Sequence, residues 1–417
     1  MQKLSATPAQ TEQYIALEEI HGAHNYHPLP VVLERGEGIH VWDVEGKKYM
    51  DFLSGYSALN QGHCHPKIIA ALVSQAQQLT LTSRAFHNDL LGRYEAFITN
   101  LFGYDKVLPM NTGVEAVETA IKLARKWAYQ VKGIAENEAT IITCSNNFHG
   151  RTMGVVSFST DPTATRNFGP FLPGFITIPF NDIHALEATI SQPGIAAFLF
   201  EPIQGEAGVV VPQEGYYTAI RSLCSKYNVL MIADEIQTGL GRTGTMLAVD
   251  SEHVRPDIII LGKALSGGTL PVSAVLADNE IMLTIKPGEH GSTYGGNPLA
   301  AKVAMTALEV LRDEHMMENA AIRGEEFREG LRKLQSPLLS EIRGRGLLNA
   351  IVIEHQDPEA AWHICLQLKE RGLLAKPTHG DKIRLAPPLV ITQEEIQEAV
   401  NIIGETLSAF NSDFQKV

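Results

Sequence analysis

Between residues 139 and 277 the chain repeats one pattern, a short apolar run followed by a longer helical or irregular stretch. The runs are Ala139 to Cys144, Gly154 to Ser159, Phe175 to Phe180, Ala196 to Phe200, Val229 to Ala233, Ile258 to Leu261 and Val272 to Ala277. Runs this short, rich in branched residues and bounded by polar or Gly/Pro punctuation, read as strands buried on both faces. Strands that alternate with helical stretches imply helices covering a mostly parallel sheet. The spacing therefore predicts an α/β fold around seven strands.

Two of these runs end in chemistry. Val229 to Ala233 is followed by Asp234, and Ile258 to Leu261 by Gly262-Lys263. In open α/β sheets ligands bind beyond the carboxyl ends of the strands, so an acid and a lysine share one rim. Pyridoxal phosphate needs that pair: a lysine carries it as a Schiff base, and an acid keeps its ring nitrogen protonated. Either residue alone is as well explained by a capped turn or a solvated strand end. The Ala-Leu-Ser-Gly-Gly that follows Lys263 tips the balance, because small residues let a cofactor approach the backbone.

Other motifs carry less weight. Asn111-Thr112-Gly113-Val114 opens an amphipathic stretch through Trp127, and a helix N-terminus there is either a plain cap or an anion site. Gly239 to Gly244, GLGRTG, fits the dinucleotide fingerprint and keeps a nicotinamide enzyme as a rival. It lies several residues past its strand, opens no clear helix and precedes no acid-tipped strand. His21, His24 and His27 have metal-like spacing but sit among Asn, Pro and Gly with no carboxylate or Cys beside them, and His63 and His65 flank Cys64 where packing and turn structure before Pro66 is the simpler account, so no metal is expected.

The formal charge of −13 argues against nucleic acid. No apolar run reaches the length of a membrane span. The opening MQKLSATPAQTEQY has neither an apolar core nor an Arg-rich amphipathic stretch, and the four cysteines are scattered, so a reducing cytoplasmic location is expected. Residues 1 to about 20 read as an arm or short helix, and Ile39 to Asp51 as a hairpin turning at Glu45-Gly46. Beyond about residue 300 long helices dominate. Asp357-Pro358 starts one that Gly372 ends, and Thr392-x-x-Glu395 caps another with Ile396, Val400, Ile403 and Leu407 on its inner face.

From about Gly22 to about Pro388 the chain resembles the class III, or ω-amino-group, aminotransferases of pyridoxal-phosphate fold type I. The likeness rests on GAHNYHPLPV, NQGHCHPKI, LTSRAF, LPMNTGVEA, EPIQGEAGVVVP, IADEIQTG, IKPGEHGSTYGGNP and GLLAKPTHGD, and is greatest to the branch that uses ornithine. The resemblance implies a large cofactor-binding domain over 51–300 and a smaller α+β domain from 1–50 and 301–417. It implies catalysis by Lys263 and Asp234. Thr112, Gly113 and Val114 would bind the cofactor phosphate, Phe148 and Ile236 would pack on the ring, and Gln237 would contact its phenolic oxygen. Ser292 and Thr293 would reach the phosphate of a neighbouring subunit, so a homodimer or higher oligomer is implied.

For substrate, the resemblance implies transfer of the δ-amino group of L-ornithine to 2-oxoglutarate. The products are glutamate and glutamate 5-semialdehyde, which cyclises to pyrroline-5-carboxylate. Tyr26 and Tyr56 would hold the far end of ornithine. Arg151 and Arg384 would bind carboxylates, Arg384 masked by Glu206 until glutamate needs it. Relatives that use N-acetylornithine usually carry an aliphatic residue at the Tyr56 position. They and the 4-aminobutyrate-type enzymes are the rivals within the family. A catalytically silent pyridoxal-phosphate binder would need no pair of carboxylate-binding arginines.

Overall fold

The computed structural model describes residues 10–414, so the first nine residues of the expected N-terminal arm lie outside it; Gln10–His21 is a helix. Three strands follow, β1 (Leu33–Glu37), β2 (His40–Asp43) and β3 (Lys48–Asp51), in which β2 and β3 form the expected hairpin. Its turn needs Gly46 at φ +83°, a left-handed conformation that glycine adopts without steric cost.

The central sheet has seven strands: β4 (Lys106–Met110), β5 (Thr140–Cys144), β6 (Phe175–Ile178), β7 (Ile195–Phe200), β8 (Leu230–Asp234), β9 (Ile258–Leu261) and β10 (Ser273–Ala277). Their order across the sheet is β4-β10-β9-β8-β7-β5-β6. Only β10 runs against its neighbours. Every side chain of β7, β8 and β9 is buried, which is why these strands read as unbroken apolar runs.

Two expectations about strands fail. Met153–Val156 is a helical turn, not a strand. Its Val155 and Val156 are buried, but a short apolar run has the same pattern in a buried turn as in a strand. Gly154 lets the Glu118 carboxylate approach this turn closely: a Cβ there would lie 2.2 Å from Glu118 Oε1. The seventh strand is instead β4, obscured by Pro109. Proline donates no ladder hydrogen bond and is tolerated at a sheet edge, and β4 is an edge strand.

Because β4 and β10 are antiparallel, and so are β10 and β9, β4 points the same way as β5, β6, β7, β8 and β9. Six strands therefore deliver the segments that follow them to one rim. Helix Gly113–Trp127 covers the sheet. Thr112 and Glu115 form a reciprocal capping box at its start, and Ala116, Val117, Ala120, Ile121, Leu123, Ala124 and Trp127 bury its inner face. Burial of a large aliphatic or aromatic side chain stabilises by roughly 1.5–3 kcal/mol.

A second sheet, β11 (Leu339–Arg345), β12 (Leu348–Ile353), β14 (Lys376–Thr378) and β15 (Lys382–Leu385), carries Arg384. Two residues, β13 (Leu373–Leu374), leave that region and pair in parallel with β3. The last helix, Gln393–Phe414, starts with the expected box: Thr392 N–H donates to Glu395 Oε2 at 2.8 Å and Glu395 N–H to Thr392 Oγ1 at 3.2 Å. Ile396, Val400, Ile403 and Leu407 are buried as expected. Among the described residues no helix is long and apolar enough to cross a membrane.

Candidate active site

Asp234, the last residue of β8, is 5% exposed. Its Oδ2 takes a hydrogen bond from His149 Nδ1 at 2.6 Å and its Oδ1 one from the Ile236 amide at 3.1 Å. Both carboxylate oxygens are thus fixed while each keeps a lone pair. His149 is buried and its Nε2 has no partner. Burial alone would depress the imidazole pKa, but the hydrogen bond and charge of Asp234 outweigh it and raise the pKa.

Lys263 lies two residues past β9 at φ +44°, a strained conformation worth about 1–3 kcal/mol. Burial, against opposing pulls from Glu206 and Asp234, lowers the pKa of its amine. A lowered amine pKa favours the neutral form that a nucleophile or general base requires. Ile236 is wedged between the two glycines that open this corner: a Cβ on Gly113 would lie 3.0 Å from it, and one on Gly262 3.3 Å.

A cavity of about 250 Å³ joins these groups, lined by Gly113, Val114, Phe148, His149, Glu201, Glu206, Asp234, Ile236, Gln237 and Lys263. At one end the first turn of helix Gly113–Trp127 presents amides that no helical carbonyl can satisfy. The Thr112 amide is already taken by Glu115 Oε2 at 2.6 Å, which leaves those of Gly113 and Val114 for an anion. Phe148 flanks the cavity, its amide bonded to Glu201 Oε2 at 3.0 Å. The exposed Arg151 guanidinium lies 5.3 Å from the Phe148 ring centroid.

The opposite wall is a closed ring of four residues. Buried Arg384 pairs with Glu206. Gln237 Nε2 donates to Glu206 Oε1 at 3.1 Å and to the Tyr56 carbonyl at 3.2 Å. The Arg384 guanidinium lies 4.9 Å from the Tyr56 ring centroid. Burial would raise the Glu206 pKa, but the charge of Arg384, with Lys263 and the hydrogen bonds, holds it below the ordinary carboxylate range.

Tyr56 stands in a left-handed turn. Ser54, Gly55, Tyr56 and Ser57 have φ of 50°, 56°, 60° and 68°. Each non-glycine residue there costs roughly 1–2 kcal/mol. The turn is held by Asp51 Oδ1, which accepts from the amides of Leu53 and Ser54, and by Ser54 Oγ, which donates to the Ala386 carbonyl at 2.7 Å.

The remaining expected residues are more peripheral. Tyr26 is exposed, with the Lys376 ammonium 6.0 Å from its ring centroid. Ser292 Oγ accepts from Asn111 Nδ2 of the same chain at 2.6 Å, and Thr293 is exposed. The histidines with metal-like spacing have other partners: His27 stacks on Trp362, His63 bonds Asp51 and His65 bonds Glu314.

The rim holds what a pyridoxal-type cofactor needs: a desolvated amine, a fixed carboxylate and free helix-end amides around a cavity that Phe148 and Ile236 help to line. The sequence model of the class III aminotransferases matches residues 21–407. The chain belongs to the class III aminotransferases. The mitochondrial ornithine aminotransferase of Rattus norvegicus is 62% identical over 98% of this chain and 93% of its own length. The crystal structure of the ornithine aminotransferase from Toxoplasma gondii superposes with a TM-score of 0.95 at 49% identity, covering 98% of this chain and 97% of that one. The structure of an acetylornithine aminotransferase from Elizabethkingia anophelis is also similar, at 60% identity and a TM-score of 0.89 over 96% of this chain and 100% of that one.

Two buried groups of the aminotransferase site escaped the sequence reading as functional residues, His149 and Glu201. Burial, then the nearby Asp234 charge, pushes the Glu201 pKa up to about 8 against the opposing pull of His149. Glu201 follows β7 at the same rim as Asp234, a position from which it could have been inferred. GLGRTG has a structural task. Gly241 and Gly244 take left-handed turns, and Arg242 between them is fully buried.

Proposed function

We infer that this enzyme moves the δ-amino group of L-ornithine to 2-oxoglutarate, giving glutamate 5-semialdehyde and L-glutamate. The observation that carries the reading is the unequal state of the two arginines: Arg151 is exposed, and Arg384 is buried under Glu206. With two open arginines every amino acid would dock by its α-carboxylate next to the reacting centre. With Arg384 covered, ornithine's carboxylate goes to Arg151, a planar donor suited to two-point contact, and the δ-amine would reach the cofactor that Lys263 holds. The second substrate carries two carboxylates and draws Glu206 off Arg384.

Pyridoxal 5′-phosphate, when bound, supplies an aldehyde that captures the amine and a ring that spreads carbanionic charge. Lys263 would hold it covalently, Asp234 its ring nitrogen, and the Gly113 and Val114 amides its phosphate. Phe148 and Ile236 would flank the ring. Once freed, the Lys263 amine, whose pKa burial lowers, would move the proton at the reacting carbon. Tyr26 and Tyr56 would hold the α-amino end of ornithine.

A second reading, transfer from N-acetylornithine, is favoured by the 60% identity to the Elizabethkingia anophelis structure. Tyr56 favours free ornithine, because relatives that use N-acetylornithine usually carry an aliphatic residue at this position. The enzyme would act as a homodimer. Exposed Phe86 and Tyr294 and the exposed Thr293 support a covered face beside the phosphate end. For location, four free cysteines fit a reducing compartment. We read it as the cytoplasm, and the mitochondrial names of the rat and Drosophila melanogaster relatives make the organelle the outcome that cell fractionation would test.

The deciding experiment adds L-ornithine or N-acetylornithine, without keto acid, to cofactor-loaded enzyme and follows the cofactor absorbance and pyrroline formation. Ornithine should change the absorbance and yield pyrroline-5-carboxylate. A response to N-acetylornithine alone would overturn the substrate assignment and leave the family intact.

A further inference from the structure

Gln237 spends its amide in an unexpected direction. A carboxamide nitrogen has two hydrogens. In this structure Nε2 serves Glu206 Oε1 at 3.1 Å and the Tyr56 carbonyl at 3.2 Å, so both are used within the protein. The amide oxygen is pressed against Gly205, where a Cβ would come within 1.6 Å of it. Any side chain at 205 would therefore displace the Gln237 amide from this position.

The backbone that carries Glu206 is held. Its carbonyl accepts from Thr378 Oγ1 at 2.9 Å, and Gln204 and Val210 close the loop by a pair of backbone hydrogen bonds. Arg343 Nη1 donates to the Gly208 carbonyl at 3.3 Å, and buried Val209 sits at φ +56°. A loop fixed on both sides leaves side-chain rotation as the way for Glu206 to move. That rotation must break two interactions, the pair with Arg384 and the hydrogen bond from Gln237.

We propose that Gln237 is the latch of the Glu206–Arg384 gate, a specificity-determining residue that keeps Arg384 covered and is itself held by the left-handed turn at Tyr56. The proposal rests on the reading of Arg384 as the second carboxylate anchor. Opening the gate also frees one Gln237 N–H toward the cavity, so the choice of carboxylate and the hydrogen bonding around the bound cofactor change together. The fixed Tyr56 carbonyl keeps the other hydrogen in place, and the amide stays oriented when Glu206 leaves.

The test measures ligand binding to the cofactor-loaded enzyme by calorimetry, with glutarate as a two-carboxylate probe and valerate as a one-carboxylate control. Neither has an amine, so no turnover intervenes. In Gln237→Leu the gate loses one charge-assisted bond. Glutarate should bind about three- to tenfold tighter, with valerate unchanged. Gly205→Ala, which displaces the amide without removing it, should shift glutarate in the same direction and serves if Gln237→Leu fails to fold. Unchanged or weaker glutarate binding in a folded variant, with valerate also unchanged, would overturn the latch. Absence of glutarate binding to the wild-type enzyme would instead overturn Arg384 as an anchor, and with it the gate.

Discussion

Replacing Arg242 by lysine tests what the GLGRTG segment is for. The guanidinium makes four hydrogen bonds, all to uncharged acceptors. Nε and Nη2 donate to Asn60 Oδ1 at 3.2 and 2.6 Å, and Nη1 donates to the carbonyls of Leu347 at 3.0 Å and Pro387 at 2.5 Å. It thereby ties together the segment after the Tyr56 turn, the turn between β11 and β12, and the chain three residues past Arg384. An ammonium is a point donor on a flexible stem and cannot span three directions. Two of the four bonds should be lost. At roughly 1.5–3 kcal/mol for each bond to a charged donor, the cost is about 3–6 kcal/mol. Unfolding entropy of about 2.1 cal/mol/K per residue over 417 residues gives about 0.9 kcal/mol/K. The melting midpoint of the cofactor-free protein should therefore fall by about 3–7 °C. Differential scanning fluorimetry is sufficient, with Arg93→Lys on an exposed helix face as the control. A shift below about 1 °C would refute the hub assignment. The KM for 2-oxoglutarate should rise more than that for ornithine, since Pro387 sits closer to Arg384 than to Arg151 along the chain.

Three further outcomes are expected. Glu206→Ala should raise α-transamination of ornithine or glutamate relative to δ-transamination by about tenfold or more, the worth of one partly buried charge pair; an unchanged product ratio would sink the gating idea. His149→Phe removes the donor to Asp234 and should weaken retention of pyridoxal 5′-phosphate in equilibrium dialysis by about tenfold, with His149→Asn recovering part of it. Glu201, buried and raised to about 8, holds a proton in the folded state that the unfolded chain releases near the ordinary glutamate value. Its contribution to stability is full in acid and is lost as pH rises toward 8. In Glu201→Gln the melting temperature should fall less between pH 5 and 8 than in the wild type, and parallel curves would contradict the assignment.

The sheet was legible because its central strands are buried on both faces, and burial leaves an unbroken apolar signature at β7, β8 and β9. It was not legible where Pro109 hid β4, nor at Met153–Val156, where a short buried apolar run reads the same in a helical turn as in a strand. Lys263 and Asp234 could be read because each stands just past such a strand. Their electrostatic setting could not, because His149 and Glu201 act through contacts between segments 50 to 85 residues away. The Tyr56 turn was illegible for a different reason. Ser54, Tyr56 and Ser57 have no preference for left-handed backbone, and their conformation is held by nearby Asp51 together with Ala386, which a distant part of the chain brings in.

The two-residue strand β13 affects how the molecule is made. Met50 and Phe52 donate their amides to the carbonyls of Gly372 and Leu374, and Phe52 in turn accepts from Ala386, each at 2.8 Å. The sheet that begins at residue 33 thus waits for residues more than 320 positions later. On a ribosome the strands that carry Lys263 and Asp234 emerge well before the segment that completes this sheet and supplies Arg384. Contacts of such long range slow folding, so a nascent chain passes through a stage with the cofactor rim made and no second carboxylate anchor. A polypeptide stopped at residue 370 would keep that half-built pocket, with the amides of Met50 and Phe52 left unpaired.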